Sequence, residues 1–259
     1  MSFEFNGEKY AKASTHQKEW GNKIVGELKL KGNETILDLG CGDGALTFEL
    51  SQRVPDGKVI GIDASEGMIS VAKNKEYERL EFKIMDINNI QIEEKVNLIF
   101  SNAALHWVKN HERLLETCYS ILKKDGMIRF NFAGDGNCQN YFKVVKVWMN
   151  KAPYCQYFKD FEWPWYMPSI EDYRALVEKI ENYTSIKIWE ENADRYFQSQ
   201  EALIGWIDQP SLVPFMVYLP EGYRESFRNG VIQDMLNLTG QVDGTYFETF
   251  RRINIEMTK

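Results

Sequence analysis

Three acids and three glycines carry the chemistry open to this chain. Residues 36 to 44 read ILDLGCGDG, with Asp38 two places before Gly40, followed by Gly42 and Gly44. An apolar run precedes the glycines and a periodic segment, Ala45 to Arg53, follows them. That order predicts a strand, a tight turn and a helix. Glycine is required where the backbone must adopt φ > 0 or approach a ligand closely. The helix start then aims free N–H groups above the strand end. The spacing is G-x-G-x-G rather than the G-x-G-x-x-G of dinucleotide sites. It leaves less room for a pyrophosphate and points Asp38 toward ordering the turn or facing a cation. The apolar run Lys58 to Ile62 ends at Asp63, 19 residues beyond Gly44. An acid at a second strand tip suits the hydroxyls of a ribose. Asp86 ends a third run, Leu80 to Met85. Acid, glycine turn and acid on successive strand tips describe a nucleoside site.

These tips need strands and helices behind them. Strand patterns fall near 35–39, 58–62, 80–84, 96–101 and 126–132, and helical patterns near 8–30, 44–53, 66–74 and 110–122. Alternation of this kind predicts a parallel sheet with helices on both faces. Of the 35 aromatic residues, 23 follow residue 139, so the second half is built differently. There the pattern predicts a helix over 141–150 and an irregular stretch to Pro168. Ser169 with Asp172 three residues on forms a capping-box start for a helix to about 180. A strand is expected over 185–190, helices over 200–209 and 221–238, and a last strand over 246–257. The expected architecture is α/β: a Rossmann-like, seven-stranded, mostly parallel sheet with helices on both faces and an inserted helical, aromatic-rich lid. Residues 1–259 form one domain in this reading, with a cofactor-binding core at 30–135 and the lid at 140–182. The last two strands, with a second lid helix region, take 183–259. Such a lid would exclude water from the ligand end of the sheet.

Composition bounds the partners. Lys+Arg 31 against Asp+Glu 38 leaves a net charge of −7 with no basic stripe, which argues against nucleic acid as substrate. No apolar run approaches 18 residues and the opening MSFEFNGEKY is polar, so neither a membrane span nor a signal peptide is expected, and the cytoplasm is the expected location. Cys41, Cys118, Cys138 and Cys155 show no C-x-x-C spacing, and His16, His106 and His111 lack ligand spacing. Reduced thiols and no metal are expected. The expected partner is a small-molecule acceptor, with the protein a monomer or homodimer.

DLGCGDG, then GIDASEGM (Gly61 to Met68), MDI (Met85 to Ile87) and LIFSNAALHWV (Leu98 to Val108) together resemble the successive motifs of class I S-adenosylmethionine-dependent methyltransferases. The resemblance covers about residues 30 to 135. It implies S-adenosylmethionine as cofactor, held by Gln17, Asp38, Gly40, Gly42, Asp63, Ala64, Met68, Asp86 and Ile87, with Asn102 near the methionine moiety. More narrowly, SNAALHWVKNHERLL and the later segments YFKDFEWPWYMPSIEDYRALVEKI and IGWIDQPSLVPFMVYLPEGYRESF resemble the trans-aconitate methyltransferase group. HWV is also similar to juvenile hormone acid methyltransferases. Both groups methylate carboxylates. The resemblance implies Gln17 and Trp107 at the acceptor, with Trp206 in a lid helix. Tyr10 is expected to close over the site.

Where the trans-aconitate group has a small Gly-Thr turn after the lid tryptophan, this chain has Gln209-Pro210-Ser211. That departure puts tricarboxylate specificity in doubt. Arg174, Arg195, Arg224 and Arg228 are candidate carboxylate clamps. A carboxylate is already ionised at neutral pH, whereas a phenol, ammonium or carbon acid needs a base, for which His106 is the candidate. The expected activity is therefore O-methylation of a carboxylate by direct in-line transfer. The alternatives are N- or C-methylation of a specialised metabolite, or cofactor binding without catalysis.

Overall fold

The computed structural model describes residues 15–180 and 183–259, while the side chains of residues 15–19, 209 and 210 lie outside that description. The chain groups into two compact units, each described here by itself. One comprises the residues up to Asp135 with Trp165–Glu191 and Arg252–Lys259; the other comprises Gly136–Pro164 and Asn192–Arg251.

The first unit is built on a seven-stranded sheet. In chain order its strands are β1 Thr35–Leu39, β2 Lys58–Asp63, β3 Leu80–Ile84, β4 Val96–Asn102, β5 Leu122–Ala133 and β6 Ser185–Asn192, closed by β9 Arg251–Thr258. Their spatial order is β3-β2-β1-β4-β5-β9-β6. The pairs β1–β2, β1–β4, β2–β3 and β4–β5 are parallel, and β9 runs antiparallel to β5. The order turns outward from β1 in both directions, which opens a crevice at the carboxyl ends of β1 and β4.

Helices α1 Thr15–Glu27, α2 Ala45–Arg53, α3 Glu66–Ala72, α4 His111–Ile121 and α6 Ile170–Glu178 belong to this unit. Their starts are fixed by side chains: Ser65 caps α3, Asn110 caps α4 and Ser169 caps α6. At Ser169 the hydroxyl accepts from Asp172 N (3.1 Å) and donates to the Asp172 carboxylate (2.8 Å), the box read from the sequence. Strands buried on both faces read as near-continuous apolar runs, and alternate residues here feed two clusters. Ile36, Leu98 and Phe100 pack with Ile24, Val25 and Leu28 of α1. Leu37, Leu39, Ile99, Phe130 and Phe132 pack with α4 and with Ile170, Tyr173 and Val177 of α6.

The second unit contains α5 Gln139–Met149, β7 Arg195–Phe197, α7 Gln200–Trp206, a π turn Ile207–Ser211, α8 Val213–Met216, α9 Glu221–Thr239 and β8 Tyr246–Glu248. Its core is aromatic. Phe161 stacks on Phe215 with centroids 5.0 Å apart at 14°, and Phe158, Trp163 and Tyr218 surround the pair. The buried Glu248 carboxylate accepts from Asn140 N (3.1 Å) and Tyr141 N (2.8 Å), so it ties β8 to the N-terminus of α5. An anion is favoured at that helix end.

Two sequence expectations change. The single last strand over 246–257 is two strands, interrupted at Thr249-Phe250: β8 pairs with β7 in a separate two-stranded sheet, while β9 enters the main sheet. Residues 140–182 also do not group together, because 165–180 and α6 belong to the sheet unit and only 140–164 to the aromatic one.

Candidate active site

Gly40, Gly42 and Gly44 all adopt left-handed φ values of 74°, 55° and 74°. The reasons differ. A Cβ on Gly40 would lie 2.2 Å from the Ala104 Cβ, so this position has neither the conformation nor the space for a side chain. A Cβ on Gly42 would meet nothing within 4 Å among the described residues. The turn is held from β2: Gly40 N and Cys41 N donate to Ile62 O at 2.8 and 3.0 Å.

Asp63 completes this arrangement. Its Oδ2 accepts from Gly42 N (3.0 Å) and its Oδ1 from Ser65 N (2.9 Å). A carboxylate oxygen has two lone pairs and can accept from more than one donor. Ala64 follows, half-buried, and Met68 is buried in the first turn of α3. Met85 N donates to Asp63 O (2.9 Å), which brings the chain after β3 alongside. There Asp86 is exposed and caps a short turn, its Oδ1 accepting from Asn88 N and Nδ2, both at 2.8 Å. Ile87 Cδ1 lies 3.6 Å from where a Gly40 Cβ would sit. The sequence-predicted residues Gly40, Gly42, Asp63 and Ile87 therefore meet at one turn, and Ala64 and Met68 follow Asp63 in the chain.

Asp38 is buried under it, with Oδ2 accepting from Thr47 Oγ1 at 2.7 Å. Burial raises its pKa to about 7, against the Thr47 hydrogen bond and with help from the Asp63 charge. Asp38 thus orders the start of α2 from inside.

The fourth strand tip is shaped by side chains. Asn102 ends β4 opposite Asn131 of β5, and its Nδ2 is 3.0 Å from where a Cβ on Gly21 of α1 would lie. Ala103 has φ 59° and donates its N–H to Asn131 O (2.8 Å). This left-handed residue redirects the chain into the turn Leu105–Trp107. His106 O accepts from Tyr166 N (2.8 Å), and the half-buried Trp107 ring lies 5.3 Å from Trp165. His111 braces the turn from within. Its Nε2 donates to Leu105 O (2.9 Å), so in the neutral ring Nδ1 accepts from Tyr173 Oη (3.0 Å). Burial lowers the His111 pKa to about 4.

His106 does not suit general-base work. Burial, and then the positive charge of Arg252, lower its pKa to about 3. Its Nδ1 is buried and has no hydrogen-bond partner among the described residues.

Other sequence candidates are engaged by neighbours of their own. Trp206 is 3 % exposed and packs against Tyr141, Phe197 and Phe250 inside the second unit. Arg228 is held by Asp208 through two bonds of 2.6 Å, and Arg174 and Arg224 donate to backbone carbonyls. Gln17 lies on α1 with its side chain outside the description, and Tyr10 lies outside the described residues altogether.

The arginine that sequence reasoning passed over is Arg252. It is 4 % exposed, and its Nε donates to Asn131 Oδ1 (2.8 Å), as does Nη2 (2.5 Å), with the guanidinium 5.0 Å from the Trp20 ring centre. The signal was present in R-F-N-F (129–132) and R-I-N-I (252–255), where polar residues alternate with apolar ones in strands expected to be buried.

Residues 30–198 match a family described as a methyltransferase domain. A putative methyltransferase of Invertebrate iridescent virus 6 is 27 % identical over 243 residues, 93 % of this chain and 89 % of that protein. The trans-aconitate 2-methyltransferase of Escherichia coli is 28 % identical over 206 residues, 79 % of this chain and 78 % of that enzyme. Among solved structures, the YcgJ protein from Bacillus superposes with a TM-score of 0.63 at 14 % identity, covering 93 % of this chain and 98 % of that one. Coclaurine N-methyltransferase bound to N-methylheliamine and S-adenosylhomocysteine superposes with a TM-score of 0.59 at 15 % identity, covering 94 % and 72 %. The structural likenesses establish a shared fold.

Proposed function

This chain belongs to the methyltransferase-domain family, and we propose that it transfers the methyl group of S-adenosylmethionine to a carboxylate oxygen of a small organic acid. It is an S-adenosylmethionine-dependent methyltransferase. The residues present fit that cofactor. A cradle that is open above Gly42 among the described residues lies beside a carboxylate, Asp63, of the kind that accepts from ribose hydroxyls, with its two oxygens oriented by backbone donors. Asp86 and Ile87 flank the same turn on the side of β3 and would border the base.

When bound, S-adenosylmethionine supplies a methyl group already activated by its sulfonium, so the acceptor oxygen takes the carbon while the bonding pair returns to sulfur. No proton moves if the acceptor is a carboxylate. The protein's work is then to bind, orient and dehydrate. Trp107, beside Trp165, forms the wall near the β4 tip, and Gln17 is a further acceptor-site assignment.

The observation that carries the carboxylate reading is the state of His106. A base whose pKa is pushed to about 3 cannot take a proton from an ammonium, a phenol or a carbon acid at neutral pH. An ionised carboxylate needs no such help, and the similarity to a trans-aconitate 2-methyltransferase points the same way.

The test is incubation with methyl-labelled S-adenosylmethionine and a panel of di- and tricarboxylates, fatty acids, phenols and amines. Label released as methanol by alkali establishes a carboxyl ester. Alkali-stable label on an amine, phenol or carbon acid overturns the reading.

A further inference from the structure

The apolar layer that packs β5 against α4 and α6 contains an imidazole. His111 opens α4, is 2 % exposed, and has the rings of Phe132, Tyr166 and Tyr173 at 5.1, 4.8 and 5.4 Å. Packing alone would put an aliphatic side chain there, as at Leu114 and Leu115 of the same helix. A polar ring is tolerated at such a place because both of its nitrogens are bonded. A carbonyl can only accept, so Nε2 carries the ring proton toward Leu105 O. Nδ1 is then bare, and the Tyr173 hydroxyl must donate to it. The direction of donation is thereby fixed from Tyr173 through His111 to Leu105.

This relay ends on the turn that carries Trp107. Within the turn, Val108 N donates to Leu105 O (2.9 Å) and Trp107 N to Ala104 O (3.0 Å). Those bonds shape the turn, whereas its place against α6 is set at two successive carbonyls. His111 holds Leu105 O, and Tyr166 N holds His106 O. Both lead to one segment, residues 165–173. Trp165 supplies the second ring of the wall, Tyr166 a backbone donor and a ring against His111, and Tyr173 the hydroxyl. Tyr173 N in turn donates to Ser169 O (3.1 Å), at the capped start of α6. The glycine turn has a frame of its own, made by Ile62 O and the Asp63 carboxylate of β2. Loosening the relay therefore acts on the wall and leaves the cofactor turn in place.

We propose that His111 is a positioning residue of the acceptor site: it relays the Tyr173 hydroxyl to the Leu105 carbonyl and so sets the place of Trp107 against Trp165. The inference rests on the reading of Trp107 as the acceptor wall and adds the residues that fix that wall. His111 touches no reacting atom in this arrangement and acts through the turn.

The test is steady-state methylation by the full chain, with methyl-labelled S-adenosylmethionine and with trans-aconitate or dodecanoate as acceptor. His111→Leu should raise the KM for the acid about tenfold, the worth of a buried hydrogen bond, and leave the KM for S-adenosylmethionine unchanged. His111→Gln keeps a donor for Leu105 O and should recover most of the loss. Tyr173→Phe should give a smaller rise. Added to His111→Leu it should cause no further one, because the hydroxyl acts through the ring. If His111→Leu does not fold, Tyr173→Phe, which removes a single oxygen, carries the same comparison of the two KM values. Equal rises in both KM values, no rise in either, or additive effects of the two substitutions overturn the proposal and leave His111 a general core residue. Failure of the underlying reading is seen separately, as a Trp107→Ala variant whose KM for the acid equals that of wild type.

Discussion

The two halves of the sheet build their ends in different ways. On the β1–β2–β3 side the site is made of backbone: glycine N–H groups and short turns, held by Asp63 from 21 residues away. On the β4–β5–β9 side it is made of side chains, with Asn131 holding Arg252 across 121 residues of sequence. The first half therefore depends on local backbone conformation, with no room for a side chain at Gly40. The second depends on charge and hydrogen bonding and tolerates any substitution that preserves them. Opposite responses to substitution should separate the two.

Backbone dependence is tested hardest at Gly40 and Gly42. Both have positive φ, but only Gly40 lacks space. Gly40→Val adds a β-branched residue in a left-handed conformation and a contact of 2.2 Å. Strain of about 1–3 kcal/mol and displacement of the Ala103–Ala104 bend should cut cofactor affinity at least ~100-fold, a loss of about 2.7 kcal/mol or more, or prevent folding. Gly42→Ala should melt within a few degrees of wild type yet still weaken the cofactor, since its methyl enters the open space. Calorimetric titration with S-adenosylhomocysteine and a thermal melt of each variant decide this. Full cofactor affinity in Gly42→Ala would show that no ligand occupies the space above it.

This contrast also explains what the sequence made legible. Strands β1 to β4 and the acids at their tips stand out because each is a short apolar run ended by Asp or Gly, and the turn chemistry lies within nine residues. The buried polar ladder of β5 and β9, in which Asn254 holds Arg129 and Asn131 holds Arg252, was harder to read, because Arg129 and Arg252 look like solvated residues until the strands become neighbours. Only the alternation R-x-N in two apolar strands hinted otherwise. The break of the last strand at Thr249-Phe250 was hidden for a related reason. Phe247 and Phe250 suit a strand locally, but Glu248 is drawn away to cap α5 and Thr249 accepts Gln139 N (3.0 Å). Trp206 was placed in a lid helix by the family resemblance, and within its own unit it is a core residue.

Buried titratable groups give the next test, of intermediate size. His106 and His111 have folded pKa values near 3 and 4, below the unfolded value of about 6.5. Asp38 has a folded value near 7, above an unfolded value near 3.9. Between about pH 4.5 and 6, the unfolded chain carries two extra histidine protons and the folded chain one extra Asp38 proton. The net difference from these groups is about one proton toward the unfolded state, so stability falls as pH drops, by about 1.4 kcal/mol per pH unit. Urea denaturation across that window should show the slope. His111→Gln should bring it close to zero, and Asp38→Asn should about double it. Unchanged slopes in both variants would mean that neither group is held in the buried state described.

The smallest effect joins the two halves through charge. Asp38 titrates near neutrality beneath the glycine turn, and the cofactor carries a sulfonium. A cation above the turn favours the ionised carboxylate, so binding should strengthen as pH rises through 7. Between pH 6 and 8 the ionised fraction changes from about one tenth to about nine tenths, which limits the gain to roughly tenfold. Partial screening through the turn should leave a severalfold change. S-adenosylmethionine has titrations of its own, but they are common to wild type and Asp38→Asn and cancel in the ratio of their affinities. That ratio should rise with pH. A flat ratio would confine Asp38 to ordering the turn through Thr47.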